Sequence, residues 1–184
     1  MLPGGGSFYA GAAHPFVAFE HLLALLALGL LVGKLGERQI GLAALTLLSG
    51  LLAGALSQTQ FAISGSTALL GLALIFGVTL AAVPPIPAGV FIAVSALAGG
   101  LVGADTDVLA TGDAPLTTRA LAATGLMIGA QIIMLNAAAL SRIMVQRGWG
   151  IVPRVAGSWI GAIAVLLLTL AVTGVTGAPS GAMP

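Results

Sequence analysis

The two histidines of the chain, His14 and His21, lie seven residues apart, and Glu20 directly precedes the second one. All three stand at the start of an otherwise apolar stretch that continues to Gly33. Imidazole is a common ligand of divalent transition metals, and carboxylates join it in many such sites. An ionised side chain at the centre of a membrane helix costs about 2.5–3.5 kcal/mol on insertion scales. Because such groups are costly, the pattern favours a functional role, with His14, Glu20 and His21 as candidate metal ligands.

The way in which these three side chains would meet is left open by helical geometry. Pro15 suits the first position of a helix, which places His14 at the N-cap or just outside it. On a regular helix, residues seven apart share a face but lie about 10.5 Å apart along the axis, and neighbours point about 100° apart. Convergence on one ion therefore requires that His14 curl back, that the first turn be distorted, or that another element complete the site. The alternatives are a structural polar cluster, in which Glu20 and His21 pair with each other or with nearby polar groups, and a proton-handling role.

The composition is that of an integral membrane protein. Hydrophobic residues make up 59% of the 184 residues and charged residues 6%, whereas soluble domains carry about 25% charged residues. We therefore expect an all-α protein with one transmembrane domain over residues 1–184. A net charge of +1 gives no basic field for nucleic acid. Cysteine is absent, so a bound metal would rely on nitrogen and oxygen ligands. The first dozen residues show no signal-peptide pattern.

Six stretches approach the length of about 20 mostly apolar residues that a spanning helix needs; they cover about 15–33, 40–56, 61–83, 87–103, 119–141 and 154–175. Five of the six basic residues then fall on one side, with Arg119 as the exception: Lys34, Arg38, Arg142, Arg147 and Arg154. The positive-inside rule makes that side cytoplasmic, so both termini and the histidines face outward. The external loop with Asp105, Asp107 and Asp113 is interpreted as solvated, the alternative being a cation-attracting mouth. The predicted location is a bacterial inner (plasma) membrane.

Small residues recur at the four-residue spacing that lets helices approach closely in lipid. The pairs are Gly29/Gly33, Gly50/Gly54, Gly99/Gly103, Gly125/Gly129 and Gly157/Gly161. They predict close packing within one bundle, with an oligomer interface as the alternative. Four polar residues within the predicted spans are candidates for an ion path: Ser64, Ser66, Gln131 and Asn136. Hydrogen bonding between helices is the other interpretation of these residues.

Residues 7–33 resemble the HupE/UreJ family of small membrane proteins associated with nickel uptake. The family pattern is roughly His-Pro-x-x-Gly-x-Asp-His-Leu-Leu-Ala-Met, after an aromatic segment that contains glycine. Here it reads His14-Pro-Phe-Val-Ala-Phe-Glu20-His21-Leu-Leu-Ala-Leu25, after Ser7-Phe-Tyr-Ala-Gly11. Glu20 replaces the family's aspartate and Ala18 its glycine. The family's second histidine-rich stretch is missing, and Asn136 stands where the family has a histidine.

The resemblance implies a six-helix permease fold in which His14, Glu20 and His21 contact the metal near the outer face. We therefore expect a secondary permease for a divalent transition metal, with nickel favoured and no prosthetic group. The alternative is a non-transporting accessory or structural subunit that keeps the scaffold, because most of the family's histidines are absent. No enzyme motif is present. Expected partners are the bilayer, the metal ion and either further copies of the chain or a larger membrane complex, but no nucleic acid.

Overall fold

The computed structural model describes residues 5–57, 65–82, 87–105 and 114–173, and every regular element within these ranges is an α-helix. The seven helices are α1 (Gly5–Val17), α2 (Phe19–Val32), α3 (Glu37–Ser57), α4 (Gly65–Ala82), α5 (Ala88–Ala104), α6 (Leu116–Gln146) and α7 (Ile151–Thr173). The prediction of an all-α chain is confirmed.

Helix α2 forms the centre of the bundle and contacts each of the other six helices. Its sequence consists of leucine, alanine and glycine after the first three residues, with one terminal valine, and nearly all of its side chains from Leu23 to Val32 are buried. Around it, α1 packs on α6, α3 on α5, and α4 on α7. A helix that is apolar on all sides is expected at the core of such a bundle.

The predicted glycine pairs lie where helices of the same chain touch. Between α3 and α5, a Cβ on Gly50 or Gly54 would strike the carbonyl of Ala96 or Gly100. Gly99 and Gly103 meet the α3 backbone in the same way. This arrangement confirms the prediction of close packing within one bundle.

The other pairs act similarly. Gly29 and Gly33 bring α2 onto the backbone of α6, and Gly125 and Gly129 bring α6 onto α1. Gly157 of α7 packs against Gly77 of α4, whose carbonyl oxygen is 2.8 Å from an ideal Cβ on Gly157, whereas Gly161 has room for a Cβ. Glycine therefore sets the separation in all three outer helix pairs.

The expected start of the first span at Pro15 is wrong. Pro15 lies inside α1, and the chain becomes extended only at Ala18 (φ −74°, ψ 105°) before α2 begins. Residues 5–17 are helical, despite the low helix propensity of their glycines, because the small residues of α1 pack closely on α6. The axes of α1 and α2 differ by 72°.

The predicted loop between Arg142 and Pro153 is also wrong in extent. Helix α6 continues to Gln146 and α7 begins at Ile151, so Arg142 is helical and Pro153 lies in the first turn of α7, where proline is tolerated. Gly148 ends α6 with φ 79°. The Gly148 and Trp149 amides donate to the carbonyls of Val145 and Met144, which is a Schellman motif.

Four helices are long and apolar enough to cross a membrane: α3, α4, α6 and α7. The bent α1–α2 pair passes the same test as a unit, and α5 is apolar but shorter. These helices fit a multi-pass membrane protein. Within the described residues, helices α3 to α7 overlap the predicted stretches 40–56, 61–83, 87–103, 119–141 and 154–175, and α6 extends five residues beyond the end of its stretch.

Polar contacts lie at both ends of the central helix α2. At the C-terminal end of α2, Lys34 donates to the carbonyl of Leu80, and Arg142 pairs with Glu37 at 3.0 Å. At its N-terminal end, His21 meets Asp105. The expected grouping of basic residues away from the histidines is therefore present.

Candidate functional site

The histidine pair is brought together by the break at Ala18. The rings of His14, in the last turn of α1, and His21, in the first turn of α2, have centroids 5.1 Å apart and planes inclined at 55°. A straight helix would separate these positions by about 10.5 Å along its axis. The break between two helices at Ala18 therefore brings together two rings that a single regular helix would keep apart.

A carboxylate from a distant element joins the pair. Asp105, which caps the C-terminus of α5, places Oδ2 3.1 Å from His21 Nε2. The His21 side chain is 1% exposed and that of Asp105 21% exposed. The interpretation of Asp105 as part of a solvated loop is wrong, because it lies against a buried imidazole. Asp107 and Asp113 fall outside the described residues.

The N-terminus of α4 lies on the other side of this carboxylate. A Cβ on Gly65, the first residue of α4, would lie 2.6 Å from Asp105 Cγ, so only glycine allows so close an approach. The positive end of a helix dipole stabilises a negative charge placed beside it. The Asp105 carboxylate therefore lies between the N-terminus of α4 and the His21 ring.

The tautomer of His21 follows from its partner. An ionised carboxylate only accepts hydrogen bonds, so His21 Nε2 carries the proton that it donates to Asp105. For a neutral imidazole, Nδ1 then bears the lone pair, and this atom is buried without a hydrogen-bond partner within the described part of the chain. A carboxylate that orients a histidine in this way is the usual outer partner of a metal-binding imidazole.

Glu20 does not take part in the contacts among His14, His21 and Asp105. It is half-buried in the first turn of α2, and within the described residues it takes part in no hydrogen bond or ion pair. Because neighbouring residues on a helix point about 100° apart, its side chain diverges from His21. A carboxylate in the first turn also stabilises a helix through the dipole, which gives Glu20 a structural role.

Among the described residues, no group of three or more histidine and acidic side chains is arranged to hold a metal ion. The structure thus brings two of the three predicted ligands together, and the assignment of His14, Glu20 and His21 as metal contacts stays a prediction. Asp105 was missed as a partner because 84 positions separate it from His21. A signal was nevertheless available in the sequence. A buried histidine needs a polar partner, and the chain has only five acidic residues that could supply a carboxylate.

The candidate path residues divide into two kinds. Gln131 bridges helices, because its Nε2 donates to the Ala44 carbonyl at 2.7 Å, while its Oε1 is buried without a partner among the described residues. Asn136 is exposed and donates to Ile132 of its own helix at 2.7 Å. Ser66 is half-buried in the first turn of α4, next to Gly65, and Ser64 lies outside the described residues. A path role for these residues stays a prediction.

Comparison with known proteins gives one match. A family model described as HupE / UreJ protein covers residues 2–167, which is nearly the whole chain and includes every residue of the site. Neither a curated protein nor a solved structure matches the chain. The resemblance seen in residues 7–33 is therefore confirmed over a much longer range.

Proposed function

The chain belongs to the HupE/UreJ family, and from this membership we propose that it is a secondary permease for a divalent transition metal, with nickel as the favoured cargo. The family is linked to accessory functions in the uptake of nickel and cobalt. The observation that carries the proposal is the buried His21: its Nε2 contacts Asp105, its Nδ1 has no hydrogen-bond partner among the described residues, and its ring centroid lies 5.1 Å from that of His14.

The proposed capture step uses the two imidazoles directly. A hydrated metal ion exchanges water for His21 Nδ1 and for a nitrogen of His14, while Asp105 balances part of the ion's charge through the His21 ring. Only two protein ligands from the described residues leave water in the remaining coordination positions. A site with few protein ligands releases its ion readily, which suits transport better than storage.

The proposed topology has six spans. The bent α1–α2 pair counts as one broken span, and α3, α4, α5, α6 and α7 supply the other five. The positive-inside rule places the Lys34 and Arg142 end in the cytoplasm, so the histidines open to the outside of a bacterial inner membrane. Broken helices at ion sites are common in transporters, because a break exposes polar groups within the membrane.

Metal analysis of the purified protein tests the capture step. Wild-type protein, His14→Ala and His21→Ala are exposed to nickel in detergent, desalted and measured by mass spectrometry of the metal. We expect bound nickel in the wild type and its loss in both variants. Glu37→Ala, which removes an exposed carboxylate at the other end of the bundle, serves as the control and retains the metal.

The competing function is an accessory or structural subunit without transport. The observation that favours it is the lack of three convergent ligands among the described residues. Equal nickel content in wild type and both histidine variants, together with recovery of a larger membrane partner in fixed stoichiometry, would support it. The proposed permease needs neither a prosthetic group nor enzymatic activity.

A further inference from the structure

An apolar groove opens between α6 and α7, over one side of α2. The two helices are joined by the short turn at residues 147–150 yet scarcely touch each other, so α2 is accessible between them. Leu22, Leu26 and Leu30 of α2 line the groove, with Ala137 of α6 and Ala156 of α7 among its other residues. Its volume of about 790 Å³ lies in the range of small-molecule sites.

A basic pocket of about 470 Å³ adjoins the end of this groove. Its lining includes Val145 and Ile151, which neighbour the groove residues Met144 and Val152 along the chain. Lys34 also lines the pocket, four residues beyond the groove residue Leu30.

Two cations face this pocket, and the described residues place no carboxylate in an ion pair with either of them. Lys34 Nζ donates to the Leu80 carbonyl and Arg154 Nε to the Ala81 carbonyl, both at 3.2 Å. These bonds cap the C-terminus of α4. They leave both terminal amino groups of Arg154 and further N–H donors of Lys34 without a partner among the described residues.

The positive charges of Lys34 and Arg154 also repel each other. Burial lowers the pKa of Lys34, and the neighbouring charge of Arg154 lowers it further. An anion between them would relieve this repulsion, and a phosphate matches the planar donors of an arginine. We propose that the groove and the basic pocket together bind one anionic phospholipid, with an acyl chain along α2 and the phosphate between Lys34 and Arg154.

The occupant is a lipid because the two halves of the site differ in chemistry and adjoin each other. The groove offers hydrocarbon surface and the pocket offers two positive charges, which is the division found in a phospholipid. Basic pockets between transmembrane helices on the cytoplasmic side bind anionic head groups elsewhere. A protein partner would need two carboxylates at the pocket and an apolar helix in the groove at once.

Quenching of Trp159 fluorescence tests this site. Trp159 lines the groove, and the only other tryptophan, Trp149, is removed by Trp149→Phe so that one residue reports. The protein is reconstituted in vesicles that contain phosphatidylglycerol or phosphatidylcholine with brominated acyl chains, at equal mole fractions. We expect stronger quenching by phosphatidylglycerol, and a loss of about fivefold in this preference in Lys34→Gln or Arg154→Gln.

Arg147→Gln is the matched control, because Arg147 is an exposed cation at the same end of the bundle that does not line the pocket. It is expected to keep the preference. Circular dichroism and elution as a single species check that each variant is folded. Inorganic phosphate in excess should leave the preference largely intact, because it cannot occupy the groove.

Three results would overturn the proposal. The first is equal quenching by the two lipids in the Trp149→Phe protein with Lys34 and Arg154 unchanged. This result can be obtained even if the charge variants fail to fold. The second is an unchanged preference in both Lys34→Gln and Arg154→Gln. The third is complete loss of the preference on adding phosphate, which would mean that the pocket binds a free anion. The metal measurements described above are independent of all three.

Discussion

Replacing Asp105 tests whether a carboxylate from α5 positions His21 for metal binding. Asp105→Asn keeps the size of the side chain and an oxygen that accepts the Nε2 proton, but it removes the charge. Asp105→Ala removes the acceptor as well. Because His21 is 1% exposed, its Nε2 proton would then lack a partner in the protein interior.

The magnitude follows from the contact. A hydrogen bond to a charged group contributes about 1.5–3 kcal/mol to stability, and Asp105 is partly exposed, so we expect Asp105→Ala to lower the free energy of unfolding by about 1.5 kcal/mol. Removal of an outer partner of a metal-binding histidine weakens metal affinity by about 10–100-fold. We expect Asp105→Ala to lie in this range and Asp105→Asn near its lower end.

Calorimetric titration of nickel into the detergent-solubilised protein measures the effect. Glu37→Ala is the control, since Glu37 is 85% exposed and pairs with Arg142 far from the histidines. Nickel affinity unchanged in Asp105→Ala but abolished in His21→Ala would refute the positioning role and leave the capture proposal standing. A wild-type protein that binds no nickel would instead refute capture itself.

Other predictions concern packing and are measured by thermal unfolding in detergent. Gly50→Ala should destabilise the protein by about 1–3 kcal/mol because its Cβ meets the backbone of α5, while Gly41→Ala, on the same helix with open space, should be neutral or stabilising by up to about 1 kcal/mol; equal effects would contradict this account. Ser141→Ala should lower stability by about 0.6 kcal/mol through loss of its buried 2.7 Å bond to α2, and the exposed Ser158→Ala should not; a neutral Ser141 variant would count against an interhelical role. Gly148→Ala should lower stability by about 1–2 kcal/mol because its φ of 79° disfavours a Cβ, and an unchanged midpoint would show that the turn relaxes.

Much of the fold could be predicted from the sequence. The apolar stretches from α3 onward mark helices, and the glycine spacing marks where they touch, because both signals are local and repeat along one helix face. Helix α1 was not predicted, since a segment rich in glycine with an internal proline has weak helix propensity. Its stability depends on contact with α6, which no local pattern reveals.

Only part of the candidate site could be predicted, again because contacts between distant elements leave no local pattern in the sequence. The spacing of His14 and His21 identified the region of the site. The helix break that brings their rings together lies at Ala18, and alanine is neither a glycine nor a polar capping residue, so the sequence did not predict a break there. The pairing of His21 with Asp105 depends on how α2 and α5 are placed in three dimensions. The local sequence identifies the two histidines but does not identify this partner.

The glycine contacts divide the bundle into three closely packed bodies. Helices α1, α2 and α6 form one, and the pairs α3–α5 and α4–α7 form the others, because carbonyl groups seated against glycines resist sliding. His21, Asp105 and Gly65 each belong to a different body. Movement of the α3–α5 body against α2 would therefore change the contact between the His21 imidazole and the Asp105 carboxylate, whereas movement of the α4–α7 body would change what surrounds that carboxylate.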